Sequence, residues 1–175
     1  MSGPDILTRI AGQRRLRVAR QGPALGSTVP ATREAPMVPF GREPFLICEI
    51  KRRSPSKGDI DAGLDPVTQA GLYRNAGVRS VSVLTEEDHF GGSLDDLMAV
   101  KRAFPDLSVL RKDFLLSEED LEVSHRAGAD AVLLIAALLE RELLKRLHEA
   151  ALALGLTPLV EIHSAEDAAK ASSVR

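Results

Sequence analysis

The sequence predicts an α/β fold built on parallel strands, and three observations carry that prediction. Apolar runs of strand length recur at 45–50, 79–84, 107–111, 130–135 and 157–162. A helical pattern follows each run, and alternation at this rhythm means parallel strands joined by right-handed crossovers. The first run, Phe45-Leu46-Ile47-Cys48, passes into Glu49-Ile50-Lys51, with two ionisable residues on one side of a strand. A parallel strand buried on both faces is almost wholly apolar, so this pair places the strand's end at a site.

The elements follow in order. A helix over about 4–20 carries Arg9, Arg14, Arg15, Arg17 and Arg20 against one acid, Asp5. It reads as a solvated helix, with a transit peptide or a basic amphipathic helix as the alternatives. Residues 22–44 hold Pro23, Pro30, Pro36, Pro39 and Pro44 with few apolar residues between them, an extended connecting segment. Residues 1–44 thus form a helix and a Pro-rich connection, and 45–175 the βα domain. Asp65-Pro66 opens the next helix with an N-cap residue and a proline in the first turn. Ser93 with Asp96, Ser117 with Asp120, and Ser164 with Asp167 have the spacing of capping boxes. The helix before Gly155 places Leu139, Leu143, Leu147, Ala150 and Leu154 on one stripe. Glu142 and Arg146 form an i,i+4 pair on its outer side, and Gly155 stops it.

Each strand–helix unit takes roughly 26 residues, the spacing of a (βα)8 TIM-type barrel. Eight units at that rate need roughly 205 residues beyond position 44, more than the 175-residue chain holds. About five units are present, so either the sheet is open or the natural barrel is longer than this sequence. The net charge of −2, the 3% aromatic content and the absence of Trp argue against a nucleic-acid partner. No apolar stretch has the ~20 residues that span a bilayer, so no membrane partner is expected. Cys48 is the single cysteine, which rules out an intrachain disulfide and suits a reducing, cytoplasmic setting. Within an apolar strand it reads as an inert buried thiol.

In parallel sheets the site lies beyond the carboxyl ends of the strands. The first strand ends in Glu49 and Lys51, the third in Arg111-Lys112-Asp113-Phe114, and the fifth in Glu161-Ile162-His163. The second leads into Phe90-Gly91-Gly92-Ser93, and the fourth ends in Leu133-Leu134-Ile135 without a polar group. Glu49 and Glu161 can act as a carboxylate pair that exchanges protons, while Lys51 and Lys112 can bind an anion or protonate a carbonyl oxygen. Burial and neighbouring cations would make such a lysine a better acid. The alternative is a ring of salt bridges closing the barrel mouth. His163 is read as facing away from Glu161, in a surface or capping role, and Asp113 as a structural partner. Gly91-Gly92 is either a phosphate cradle or a plain turn. The Ser-Pro-Ser-Lys-Gly turn at 54–58 suits an anionic ligand. No histidine spacing matches a metal site, and no metal is expected.

Five segments together resemble the indole-3-glycerol phosphate synthase family. They are C-E-I-K-R-R-S-P-S-K-G from Cys48 to Gly58, S-V-S-V-L-T-E-E-D-H-F-G-G-S from Ser80 to Ser93, L-R-K-D-F from Leu110 to Phe114, G-A-D-A-V-L-L-I from Gly128 to Ile135, and P-L-V-E-I-H from Pro158 to His163. The likeness covers about 45–171, more weakly the first helix. It implies a (βα)8 barrel with an N-terminal extension. It also implies a cofactor-free carboxy-lyase of tryptophan biosynthesis, acting on a phosphorylated small molecule. The reaction closes the ring of 1-(2-carboxyphenylamino)-1-deoxyribulose 5-phosphate and releases carbon dioxide and water. By the family's pattern Lys112 resembles the general acid at the ribulose carbonyl. Glu161 resembles a proton-transfer group, Lys51 an anion-binding lysine, and Glu49 the carboxylate that holds the substrate's amine and hydroxyls. Ser54, Phe90, Phe114 and Leu133 resemble pocket residues.

The sequence departs from the family after Ala171. The asparagine–arginine–aspartate, glutamate–serine–glycine and glycine–serine motifs of the later units do not occur. Two readings of the chain stay open. One is a lyase domain; the other is an inactive remnant or half-barrel that needs a complementing chain or self-associates through open sheet edges. A third reading, phosphoribosylanthranilate isomerase, lacks that family's paired cysteine and aspartate.

Overall fold

A computed structural model describes residues 6–41, 45–172 and 174. The expected first turn of the N-terminal helix, with Asp5, lies outside the described residues, as do Pro44 and Ser173. Helix α1 (Ile6–Gln21) comes first, and an irregular segment follows it. Five parallel strands then pair in sequential order: β1 (Ile47–Ile50), β4 (Ser80–Leu84), β5 (Ser108–Lys112), β6 (Ala131–Ile135) and β7 (Thr157–Glu161). The short antiparallel pair β2 (Arg53–Ser54) and β3 (Gly58–Asp59) leaves β1 directly. Helices α2 (Pro66–Asn75), α3 (Leu94–Ala103), α4 (Glu118–Ala127), α5 (Arg141–Ala153) and α6 (Ala165–Ala171) alternate with the strands. This is the βα succession of a TIM-type barrel, with five units.

Register divides the sheet into two faces. Ile50, Val83, Val109 and Leu134 point outward and pack under Leu97, Leu121 and Leu147 of the helices, forming the main core. Glu49 pairs with Ser82, Ser82 with Leu110, and Leu110 with Ala131, so these line the inner face. A second apolar cluster sits at the carboxyl ends of the strands, where Phe114, Leu133 and Ile135 meet Ile10 and Ala11 of α1.

Local chemistry explains the helix starts. Asp65 accepts from the Thr68 N–H, and Ser117 with Asp120 and Ser164 with Asp167 form complete capping boxes. At α3 only half the box forms: Ser93 accepts from the Asp96 N–H, but the Asp96 carboxylate takes Arg52 instead. The stripe on α5 is centred one residue away from expectation. Leu144, Leu147 and Ala151 are its buried line, with Leu143, Ala150 and Leu154 half-buried beside it. Leu139 is buried but precedes the helix. Arg146 lies 3.9 Å from Glu118 of α4 rather than pairing with Glu142.

The solvated reading of α1 holds for Arg9, Arg15 and Arg20, which are exposed, and fails on its inner face, where Ile10, Ala11 and Arg14 are buried. Arg14 is 4% exposed, donates to Asp120 at 3.0 Å and lies 3.4 Å from Asp113. Asp113 also accepts from Arg111 at 2.7 Å and from Thr85 at 2.8 Å. Its burial opposes ionisation, yet Arg111 and Arg14 outweigh this and hold its carboxyl below the usual range. It is a structural partner, but of these arginines and not of Lys112. Cys48 is half-buried against the core rather than fully enclosed.

At the amino ends of the strands Asp130 gathers four donors. Arg33 and the Val38 N–H each reach one oxygen at 2.8 Å. Lys101 at 2.7 Å and the Val109 N–H at 2.9 Å take the other. The Pro-rich segment is therefore bolted to the floor of the sheet.

Candidate active site

Strand alternation, set by the apolar outer face, turns Glu49, Lys51, Lys112, Leu133 and Glu161 inward. Their side chains line one cavity of about 240 Å³ at the carboxyl ends of the strands. Phe90 and Phe114 form its apolar wall, with ring centroids 6.4 Å apart. Seven of the eight residues expected at the site thus meet in one place. Ser54 does not: it lies on β2, where its hydroxyl accepts from the Lys57 N–H at 3.3 Å, outside the cavity lining.

Glu49 ties the cations together. Lys112 donates to its Oε2 at 2.7 Å from β5, two strands away, and Lys51 donates to its Oε1. Burial opposes ionisation of Glu49, but these two hydrogen bonds outweigh it and hold the carboxyl below the usual range. Both ammonium groups are thereby fixed on one carboxylate while staying partly open to the cavity. A bound anion would find two positioned cations there, and a carbonyl oxygen a positioned proton donor.

The sheet curls enough for Glu161 of β7 to share the cavity with β1. His163 reverses its expected direction. Its Nε2 lies 2.7 Å from Glu161 Oε1, and the ring lines the cavity beside that carboxylate. The two residues share a strand phase, which is why they meet. The backbone N–H of His163 donates to Asp167 at 3.1 Å, so the residue also belongs to the cap of α6.

Leu7, Leu84 and Ile135 complete the apolar lining and were not singled out from the sequence. Ile135 is in phase with Leu133, and Leu84 pairs in register with Lys112, so strand alternation carried a signal for both. Leu7 carried none, because it arrives on α1. Gly92 explains the glycine pair: a Cβ there would sit 2.0 Å from the Leu84 carbonyl oxygen. The residue is required by close backbone approach, which favours the turn over the phosphate cradle.

Another cavity of about 240 Å³ lies between α3, α4 and residues 30–36. Its most buried cation, Lys101, is already committed to Asp130, and no strand ends open into it. No group of three or more potential metal ligands occurs among the described residues.

The family model described as indole-3-glycerol phosphate synthase matches residues 34–175. The chain belongs to the indole-3-glycerol phosphate synthase family. An indole-3-glycerol phosphate synthase of Nocardioides sp. is 50% identical over 126 residues, 72% of this chain and 48% of that protein. One of Exiguobacterium sibiricum is 39% identical over 174 residues, 98% of this chain and 67% of that protein. One of Bacteroides thetaiotaomicron is 41% identical over 171 residues, 93% and 65% of the respective chains. The chain spans about half the length of the first of these relatives. Among the described residues no helix is long and apolar enough to cross a membrane.

Proposed function

We propose that the cavity performs the synthase reaction of its family: closure of 1-(2-carboxyphenylamino)-1-deoxyribulose 5-phosphate to indole-3-glycerol phosphate. The observation that carries this reading is the Lys51–Glu49–Lys112 bridge beside an aromatic wall, with Glu161 in the same cavity. The substrate pairs an apolar aryl ring with an anionic, flexible sugar chain. Phe90, Phe114 and Leu133 suit the ring, and Lys51 suits a carboxylate or phosphate. In this reading the ring carbon bearing the carboxylate attacks the ketone carbon, and Lys112 gives its proton to the ketone oxygen as negative charge develops there. Carbon dioxide leaves and restores the ring electrons. The new hydroxyl then departs as water, with Glu161 moving the protons of that step. A positioned acid contributes on the order of 10²–10⁴-fold, and holding ring and ketone together is an orientation gain on top of that. Ser54 would meet the substrate only where it extends over the 54–58 turn. The reading needs no cofactor and fits a cytoplasmic biosynthetic enzyme.

The test is direct. Purified protein incubated with the substrate should produce a fluorescent indole, and Lys112→Ala should abolish it. No signal above a heat-killed control would remove the reading for this chain.

A second reading concerns partners. The outer edges of β1 and β7 pair with no described strand, and Leu46 and Ile162 are exposed beside them. We infer that these edges accept a complementing chain or a second copy. Light scattering on the purified chain that returns a single monomer mass at all concentrations would count against self-association.

A further inference from the structure

We propose that His163 is a positioning residue and proton relay for Glu161, carrying protons between the cavity carboxylate and bulk water. The inference rests on the synthase reading and adds a residue to it. Three observations support it. The imidazole Nε2 lies 2.7 Å from Glu161 Oε1, within hydrogen-bond range. The histidine side chain is 58% exposed and the glutamate side chain 30%, so the ring reaches solvent from a carboxylate that faces the cavity. The backbone of His163 is pinned by the Asp167 carboxylate, which also caps Ser164, so the ring stands on a fixed base.

The chemistry follows from the acceptor. An ionised carboxylate only accepts, so Nε2 carries the hydrogen and Nδ1 is left free to bind a proton. A proton from water enters at Nδ1 and gives an imidazolium. The Nε2 proton then passes to Glu161, leaving a neutral carboxyl and the Nδ1–H tautomer. The reverse sequence returns the proton to water. No atom or electron is left over, and the ring ends with its hydrogen on the opposite nitrogen. Histidine suits this task because either ring nitrogen can hold the proton.

A dehydrating ring closure needs such a route, since Glu161 must recover its starting protonation state each turnover while substrate fills the cavity. The charged groups around this pair are Asp167 of α6 below it and Glu49, Lys51, Lys112 and Asp113 around the cavity. Among the side-chain hydrogen bonds of the described residues, the one from His163 is the only one to the Glu161 carboxylate.

The test has two arms on the intact chain. ¹⁵N NMR of the imidazole at alkaline pH should show a larger Nε2–H fraction in the intact protein than in Glu161→Ala, which takes the acceptor away. Identical tautomer ratios in the two proteins would overturn the proposal. In turnover assays His163→Ala should lower kcat about tenfold, the low side of what a positioned proton transfer supplies. KM should stay within about twofold, the pH–rate profile should lose a limb, and added imidazole should restore rate. Unchanged kcat, or a lowered kcat that imidazole does not rescue, also overturns it. If wild-type protein shows no turnover, or Lys112→Ala retains it, the synthase reading is what fails. The tautomer comparison then decides by itself whether the ring is coupled to Glu161.

Discussion

Two lysine–carboxylate pairs stand at opposite ends of the same sheet. At the amino ends Lys101 meets Asp130 with side chains 1% and 0% exposed. At the carboxyl ends Lys112 meets Glu49 with 35% and 27% exposed. Both contacts measure 2.7 Å. Distance therefore does not separate a pair closed within the fold from one open to a cavity; burial and the number of donors do, two on each Asp130 oxygen against one on each of Glu49. Asp130 has both oxygens filled by groups of the fold, and Lys101 gives a further bond to the Leu107 carbonyl at 2.9 Å. Burial pulls Lys101 below the usual lysine range, and Asp130 offsets this only in part. The upper pair keeps its ammonium group facing a cavity, where an incoming ligand can take it over.

The strongest way to break this contrast is the same substitution at both ends. Lys101→Ala should cost about 3–5 kcal/mol, because it strips a partner from a buried carboxylate. Lys112→Ala should leave the denaturation midpoint nearly unchanged while removing turnover. Chemical denaturation and indole fluorescence read the two effects, and equal stability losses would dissolve the distinction.

Next in size is Gly92→Ala. Its Cβ would overlap the Leu84 carbonyl, adjoining the strand end beside the cavity. Such overpacking should destabilise by about 1–3 kcal/mol, seen as a lowered midpoint.

Acid titration sharpens the comparison further. Glu49 and Asp113 are both held below the usual carboxylate range in the folded protein. Their stabilisation is complete above the unfolded values near about 4 and is lost as pH falls through the lower folded ones. Glu86 works in the opposite sense, since burial raises it despite bonds from the His89 and Phe90 N–H groups. Thermal melts should therefore fall steeply on the acid side, and Asp113→Asn should flatten that limb. The smallest effect belongs to Arg146→Ala on the outer side of α5, where an exposed pair at 3.9 Å should shift stability by less than about 0.5 kcal/mol.

What the sequence disclosed was local. Apolar runs, caps such as Ser117 with Asp120, and charges that interrupt a strand are patterns within a few residues. They are enough to find Glu49, Lys51, Lys112 and Glu161. Contacts between distant segments left no such mark. Arg14 looked solvated among five arginines because its partner Asp120 is 106 positions away. Asp96 has capping-box spacing, but Arg52 claims its carboxylate. His163 is a different case: its exposure and its bond to the α6 cap fit the expected surface or capping role, while alternation puts its ring in phase with Glu161 rather than away from it.

Asp130 also limits what evolution can do at its position. Each oxygen serves two donors from different parts of the chain. An amide would offer one oxygen and turn hydrogens toward two of those donors, and a glutamate would carry its carboxylate a methylene too far. No other natural side chain supplies two acceptor oxygens at that reach. A saturation library selected for folding should return aspartate alone at this codon.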